Sequence, residues 1–86
     1  MIELMKFEAS WCSPCKMLAP TIEALKSKYP SVVFTNIDVD ADQETAQASG
    51  IRNIPMVIIR KNGEITDRIA GVNPSSLYEQ KIENLL

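Results

Sequence analysis

Apolar and polar residues follow one another along this chain in patterns that predict seven elements of secondary structure. Residues 2–9 have the composition of a strand of mixed polarity, and residues 14–29 follow as a helix. Pro20 lies inside the helical pattern and should kink the helix, because proline has no backbone donor. The apolar positions that recur at helical spacing and should face the core are Met17, Leu18, Ile22 and Leu25.

The middle of the chain predicts a buried strand and a short helix. Residues 32–39 are β-branched and apolar, as expected of a strand covered on both faces. The helix opens at Asp40-Ala41-Asp42, where an aspartate can cap its first turn, and Gly50 closes it. Because the first two strands are joined through a long helix, we expect them to be parallel, with a right-handed crossover.

Two further strands and a last helix complete the pattern. Residues 56–60 and 65–70 flank an Asn62-Gly63 pair, which favours a tight turn and therefore an antiparallel hairpin. Residues 73–76 are suited to cap a final amphipathic helix. The element order β-α-β-α-β-β-α predicts an α/β fold with a four-stranded mixed sheet and three flanking helices.

Length and composition narrow the class of protein. Eighty-six residues predict a single domain, residues 1–86, because the chain is too short for two cores. Nine basic and eleven acidic residues give a net charge of −2 without a basic block, so we expect no nucleic-acid partner. The apolar runs are too short to span a bilayer, and the first residues do not resemble a signal peptide. We therefore expect a cytoplasmic protein that does not bind membranes.

The two cysteines of the chain, Cys12 and Cys15, form a Cys-x-x-Cys motif at the start of the first helix. Sulfurs at this spacing can close a small disulfide ring, and a helix N-terminus favours the thiolate. A structural disulfide is a weaker interpretation, because closing so small a ring adds only about 2 kcal/mol of stability. A metal site is not expected, because the chain has no histidine and no further cysteine to complete a zinc site. The motif therefore predicts a redox-active centre.

Three motifs of this sequence resemble those of the thioredoxin family. They are the hexapeptide Trp11-Cys-Ser-Pro-Cys-Lys16, the Ile54-Pro55 step before the third strand, and Gly71 after the fourth. Their order and spacing match the family over the whole chain, as does Pro20 in the first helix. The resemblance implies a thioredoxin-like fold. Larger members of the family carry an additional N-terminal strand and helix, which this sequence lacks.

The resemblance implies a protein-disulfide reductase that cycles between a dithiol and a disulfide. By likeness to the family, Cys12 is the attacking thiolate at an exposed helix start, and Cys15 resolves the mixed disulfide from a deeper position. Pro55 is expected to be cis, while an ordinary trans proline at the start of a strand is the alternative reading of the residues alone. The surface expected to dock substrates consists of Trp11, Pro14, Ile54, Pro55, Gly71 and Val72.

The resemblance also implies partners. The substrates are protein disulfides, the electron donor is a flavoprotein of the thioredoxin-reductase type, and the protein is a monomeric electron carrier without a bound cofactor. Its redox group is the Cys12–Cys15 disulfide. A glutaredoxin or ribonucleotide-reductase electron donor is a second interpretation, and a non-catalytic binding module of the same fold is a third. The Ser-Pro pair between the cysteines and the retention of both cysteines argue against these alternatives.

Two positions depart from the family pattern. Lys6 stands where thioredoxins have a buried aspartate, and Glu8 stands where many have an aromatic residue. Both side chains share one face of the first strand. In one interpretation Glu8 accepts the proton of the resolving thiol and Lys6 stabilises thiolate charge. In the other, the two residues form only a tolerated ion pair at an open face of the sheet.

Overall fold

The computed structural model describes all 86 residues, which form the seven predicted elements in the predicted order. The strands are β1 (Ile2–Glu8), β2 (Val33–Asp38), β3 (Met56–Lys61) and β4 (Glu64–Ala70). The helices are α1 (Ser13–Lys28), α2 (Gln43–Ala48) and α3 (Ser75–Glu83). No helix has both the length and the apolar character that crossing a bilayer requires.

The four strands form one mixed sheet in the order β2-β1-β3-β4. β1 pairs in parallel with β2, as predicted, and its last residue Glu8 lies opposite Asp38. β1 and β4 both pair with β3 in the antiparallel sense. In the turn between β3 and β4, Asn62 and Gly63 have φ values of 53° and 85°, the positive φ for which the Asn-Gly pair is suited.

The sheet separates two apolar clusters. On one face, side chains of β1 and β3 pack against α1 and α3 in the main core, which includes Leu4, Leu18 and Ile82. On the other face, next to α2, Phe7 and Ile58 belong to a smaller cluster. Successive side chains of a strand point to opposite faces, so the even-numbered residues of β1 face α1.

The burial of β2 differs from the prediction. A strand covered on both faces was expected over residues 32–39, but β2 lies at the edge of the sheet and Ile37 is its one buried residue. Val33 is 43% exposed. β-branched residues favour strands at an edge as well as in the interior, so composition alone did not reveal the position in the sheet.

Two details of the helices also differ. Met17 is exposed rather than in the core, because the buried stripe of α1 follows Cys15, Leu18, Ile22 and Leu25. Pro20 lies inside α1, where the sequence predicted it. The N-cap of α3, Pro74, lies within the predicted residues 73–76, but it makes no side-chain hydrogen bond. Asn73 instead donates to the carbonyl of Ala70 at 3.0 Å.

Candidate active site

Cys12 and Cys15 are joined by a disulfide at the N-terminus of α1. Their Cα atoms lie 5.3 Å apart, a usual separation for bonded cysteines. Cys12 is the N-cap residue of the helix and has an extended backbone, while Pro14 lies in the first turn, where proline is favoured. One turn of helix therefore brings Cys15 back beside Cys12.

The sulfur of Cys12 lies where the helix presents backbone donors. The Cys15 backbone N–H donates to Cys12 Sγ over 3.2 Å. The first turn of α1 contains no acidic residue, so no nearby side chain of that turn opposes the partial positive charge of the helix N-terminus. We expect the same donor to stabilise a Cys12 thiolate once the disulfide is opened.

The exposure of Cys12 is lower than the sequence suggested. Cys12 was expected at an exposed position, but in the disulfide form it is 4% exposed and Cys15 is 1% exposed. The two cysteines form a small buried cluster with Ala9, and the partly buried Val39 and Ile54 pack against it. Val39 and Ile54 are distant from the cysteines in sequence, so the position of Cys12 at the start of a helix does not by itself predict its burial.

Trp11 stands on the surface next to Cys12 and is not a core residue, since it is 67% exposed. Its indole N–H donates to Asp40 Oδ2 at 2.8 Å, which fixes the orientation of the ring. Sequence reasoning missed this role of Asp40, because its partner lies 29 positions away and the residue resembles an ordinary helix cap. Trp11 and Ile54 line a pocket of about 150 Å³ together with Val39, Ala46, Ile51 and Arg52.

The Ile54-Pro55 peptide bond is cis. The carbonyl of Pro55 accepts a hydrogen bond from the Gly71 N–H at 2.9 Å, which joins the start of β3 to the end of β4. Gly71 has a φ of 80°, a backbone conformation that glycine adopts without steric cost. Val72, the next residue, is 44% exposed.

The six residues predicted to dock substrates therefore have different neighbours. Trp11 and Ile54 share a pocket. Pro55 was expected on the docking surface but is fully buried, and it is tied to Gly71, which Val72 follows. Pro14 belongs to neither of these groups, but it is exposed in the first turn of α1.

Lys6 and Glu8 lie on the other side of the cysteine pair. Lys6 is only 2% exposed, and its Nζ lies 2.9 Å from Glu8 Oε1. The Glu8 side chain is 30% exposed. Both residues line a cavity of about 310 Å³ that Cys15 also lines. The remaining lining residues are Ala9, Ser10, Lys16, Ala19 and Asp38. The two departures from the family pattern are thus brought together beside Cys15.

Asp38, the last residue of β2, and Asp42, at the start of α2, hold the segment between the two elements. Asp38 Oδ1 accepts the backbone N–H groups of Asp40 and Ala41, at 2.9 and 3.2 Å. Asp42 is the N-cap of α2, and hydrogen bonding by Thr45, through its side chain and its backbone N–H, holds the pKa of Asp42 below its ordinary value. No group of three or more histidine, cysteine, aspartate or glutamate side chains is arranged to hold a metal ion.

Thioredoxins are similar to this chain in sequence and in structure. A family model described as Thioredoxin matches residues 2–84. The chain is 36% identical to Thioredoxin-1 of Saccharomyces cerevisiae over 76 residues, which cover 88% of this chain and 74% of that protein. It is also 36% identical to Thioredoxin 2 of Chlorobaculum tepidum, over 95% of this chain and 76% of that protein. Among solved structures, thioredoxin NaTrxh from Nicotiana alata matches with a TM-score of 0.91 at 36% identity, covering 96% of this chain and 71% of that one.

Proposed function

The chain belongs to the thioredoxin family of protein-disulfide reductases, and from this premise we propose that Cys12 attacks substrate disulfides and Cys15 resolves the mixed disulfide. Thiol-disulfide oxidoreductase activity follows from the family and from the Cys12–Cys15 disulfide. A glutaredoxin-like electron donor and a non-catalytic binding module, the alternatives that the sequence raised, are not favoured.

The reaction proceeds in two exchange steps. In the first, the Cys12 thiolate forms a bond to one substrate sulfur, and the other substrate sulfur leaves as a thiolate. In the second, deprotonated Cys15 attacks Cys12 Sγ, closes the Cys12–Cys15 disulfide and releases the remaining substrate thiolate. The dithiol is oxidised by two electrons and the substrate is reduced by two. Because the two cysteines lie within one helical turn, the second step benefits from a high effective concentration.

One observation carries the assignment of roles. The backbone N–H of Cys15 is directed at Cys12 Sγ at the helix N-terminus, which favours negative charge on Cys12. The thiolate is the nucleophile in this chemistry, so the residue that bears it most readily is the attacking one.

We propose that protein substrates dock on the surface around the disulfide. Trp11 and Val72 are exposed apolar residues there, and the hydrogen bond from Trp11 to Asp40 keeps the ring in one orientation. The pocket between Trp11 and Ile54 has room for one side chain of a protein segment. The proposed docking surface consists of Trp11, Pro14, Ile54, Gly71 and Val72, which surround the buried Pro55.

We also propose the partners and the setting of the cycle. The oxidised protein is recharged by a flavoprotein of the thioredoxin-reductase type, and it acts as a monomeric electron carrier in the cytoplasm without a bound cofactor. Family membership supports the choice of donor. Recharging by NADPH plus such a flavoprotein, and not by glutathione, is the expected result, and sedimentation at micromolar concentration should give a monomer.

The Cys15→Ser variant tests the roles of the cysteines. Attack by Cys12 remains possible but resolution does not, so a stable mixed disulfide with a protein substrate should accumulate on Cys12. The matched Cys12→Ser variant should form none under the same conditions. If alkylation of the reduced wild-type protein at neutral pH labels Cys15 before Cys12, the assignment is wrong.

A further inference from the structure

The burial of Lys6 calls for a physical reason. Removing an ammonium group from water is costly, and Lys6 is almost fully buried with one carboxylate, that of Glu8, beside it. Oε1 of Glu8 forms this ion pair, and the carboxylate has a second oxygen that can accept a proton. The pair fixes a carboxylate at one position on the wall of the cavity.

The charge of the cavity suits proton transfer better than the binding of an ion. The charged or titratable groups that face it are Lys6 and Glu8 from β1, Cys15 and Lys16 from α1, and Asp38 from β2. Two cations and two anions balance, so neither sign of ligand is favoured. A volume of about 310 Å³ is roomy enough for water, and the exposed residues Ser10 and Lys16 at its edge give access to solvent.

The cavity is separate from the proposed docking surface. None of the docking residues lines it, and it shares no lining residue with the pocket beside Trp11. A substrate bound to Cys12 covers the docking surface but leaves this second side of Cys15 open. A proton that leaves Cys15 in the mixed disulfide therefore has a route to solvent through the cavity.

We propose that Glu8, held in position by Lys6, accepts the proton of Cys15 through water in this cavity when the mixed disulfide is resolved. This inference rests on the proposed roles of the two cysteines. The S–H bond of Cys15 breaks, and its proton passes through water to the free oxygen of Glu8. The sulfur of Cys15 then bonds to Cys12 Sγ while the substrate sulfur leaves with the electron pair. Lys6 is a positioning residue, because it acts through Glu8, and the proton leaves Glu8 to solvent at the edge of the cavity.

A reaction with two observable steps tests the proposal. Reduced protein is mixed with 5,5′-dithiobis(2-nitrobenzoate), so that attack by Cys12 releases one coloured thiolate and resolution by Cys15 releases a second. In Glu8→Gln the second release should be at least about tenfold slower at pH 7, because a positioned general base contributes about a hundredfold or more and water replaces part of it. The first release should be unchanged. The deficit should shrink as the pH rises, because an ionised Cys15 needs no acceptor.

Two further variants separate proton transfer from folding. Glu3→Gln is the matched control, because Glu3 also lies on β1 and forms a 2.8 Å ion pair, with Arg60, but is not a lining residue of the cavity. It should leave both steps unchanged. The double variant Lys6→Met/Glu8→Gln leaves no unpaired buried charge, so it keeps the proposal testable if Glu8→Gln does not fold. Slow resolution with a shifted pH profile in the double variant is the expected result.

Identical pH profiles of the second step in wild type and the double variant would overturn the proposal, and so would equal slowing of both steps. Failure of the proposed function gives a different result. In that case Cys15→Ser would release the first thiolate slowly and Cys12→Ser would release it at the wild-type rate, so the order of the two cysteines would be wrong whatever Glu8 does.

Discussion

Removing one partner of the Lys6–Glu8 pair is expected to destabilise the fold unequally. Lys6 is buried with one carboxylate as partner, whereas Glu8 keeps 30% of its side chain exposed. Glu8→Gln leaves a buried ammonium group without an opposite charge, for which we expect a loss of about 3 kcal/mol in the free energy of unfolding. Lys6→Met leaves a carboxylate that solvent can reach, and its methylene chain is replaced by an apolar one, so the expected loss is about 1 kcal/mol or less.

The size of the effect makes it measurable. A domain of 86 residues has a stability of roughly 4–13 kcal/mol, so a loss of about 3 kcal/mol is a substantial fraction. Each kcal/mol lowers the Tm by roughly 4–8 °C in a domain of this size, which predicts a fall of about 12–24 °C for Glu8→Gln. The double variant Lys6→Met/Glu8→Gln should lie close to the wild type, because it contains no unpaired buried charge.

Urea unfolding of the oxidised proteins, followed by far-ultraviolet circular dichroism, gives these free energies. Equal losses in the two single variants would refute the reasoning. So would a double variant whose loss is the sum of the two, because additivity would mean that the burial of Lys6 does not set the cost.

Three further predictions concern the cap of α2, the orientation of Trp11 and the redox potential of the disulfide. Hydrogen bonding by Thr45 lowers the pKa of Asp42, so the ionised cap stabilises the fold fully above the ordinary pKa of an aspartate, and this contribution is lost as the pH falls through the lower pKa of the folded state. Asp42→Asn should therefore make the free energy of unfolding less dependent on pH between about pH 5 and pH 3, measured by urea unfolding. Asp40→Ala removes the hydrogen-bond acceptor of the Trp11 indole, so it should raise KM for insulin reduction several-fold with little change in kcat. An unchanged KM together with an unchanged fluorescence anisotropy of the indole would contradict the role given to Asp40. No histidine lies between the cysteines to stabilise the reduced thiolate. In glutathione buffers, the Cys12–Cys15 disulfide should therefore stay mostly oxidised at buffer potentials where the cysteine pairs of disulfide isomerases are mostly reduced. The reverse order of the two sites would contradict this prediction.

The features that the sequence predicted well are those with local signals. The hairpin follows from Asn62-Gly63, whose conformation needs no distant partner. The cysteine pair follows from its spacing at a helix start, since helical geometry alone brings Cys12 and Cys15 together. The parallel pairing of β1 and β2 follows from the length of the segment that connects them.

The features that the sequence missed depend on contacts between distant segments. β2 is an edge strand because no strand pairs with its side away from β1, and the composition of β2 does not encode this. Val39 and Ile54 come from separate loops to cover Cys12, so its burial was underestimated. Lys6 and Glu8 were identified as departures, but the cavity that joins them to Cys15 exists only in the assembled fold.

The short helix α2 has a consequence for how partners are accommodated. It spans six residues and buries only Ala46, and its ends are held by the Asp42 cap and by Arg68, which donates to the carbonyls of Ser49 and Gly50. So little buried apolar surface predicts a segment that opens locally at a low free energy, with fast amide hydrogen exchange. Ala46 is also part of the pocket beside Trp11. One wall of that pocket can therefore yield to side chains of different shape, while helix α1, which carries the disulfide, stays packed against the main core.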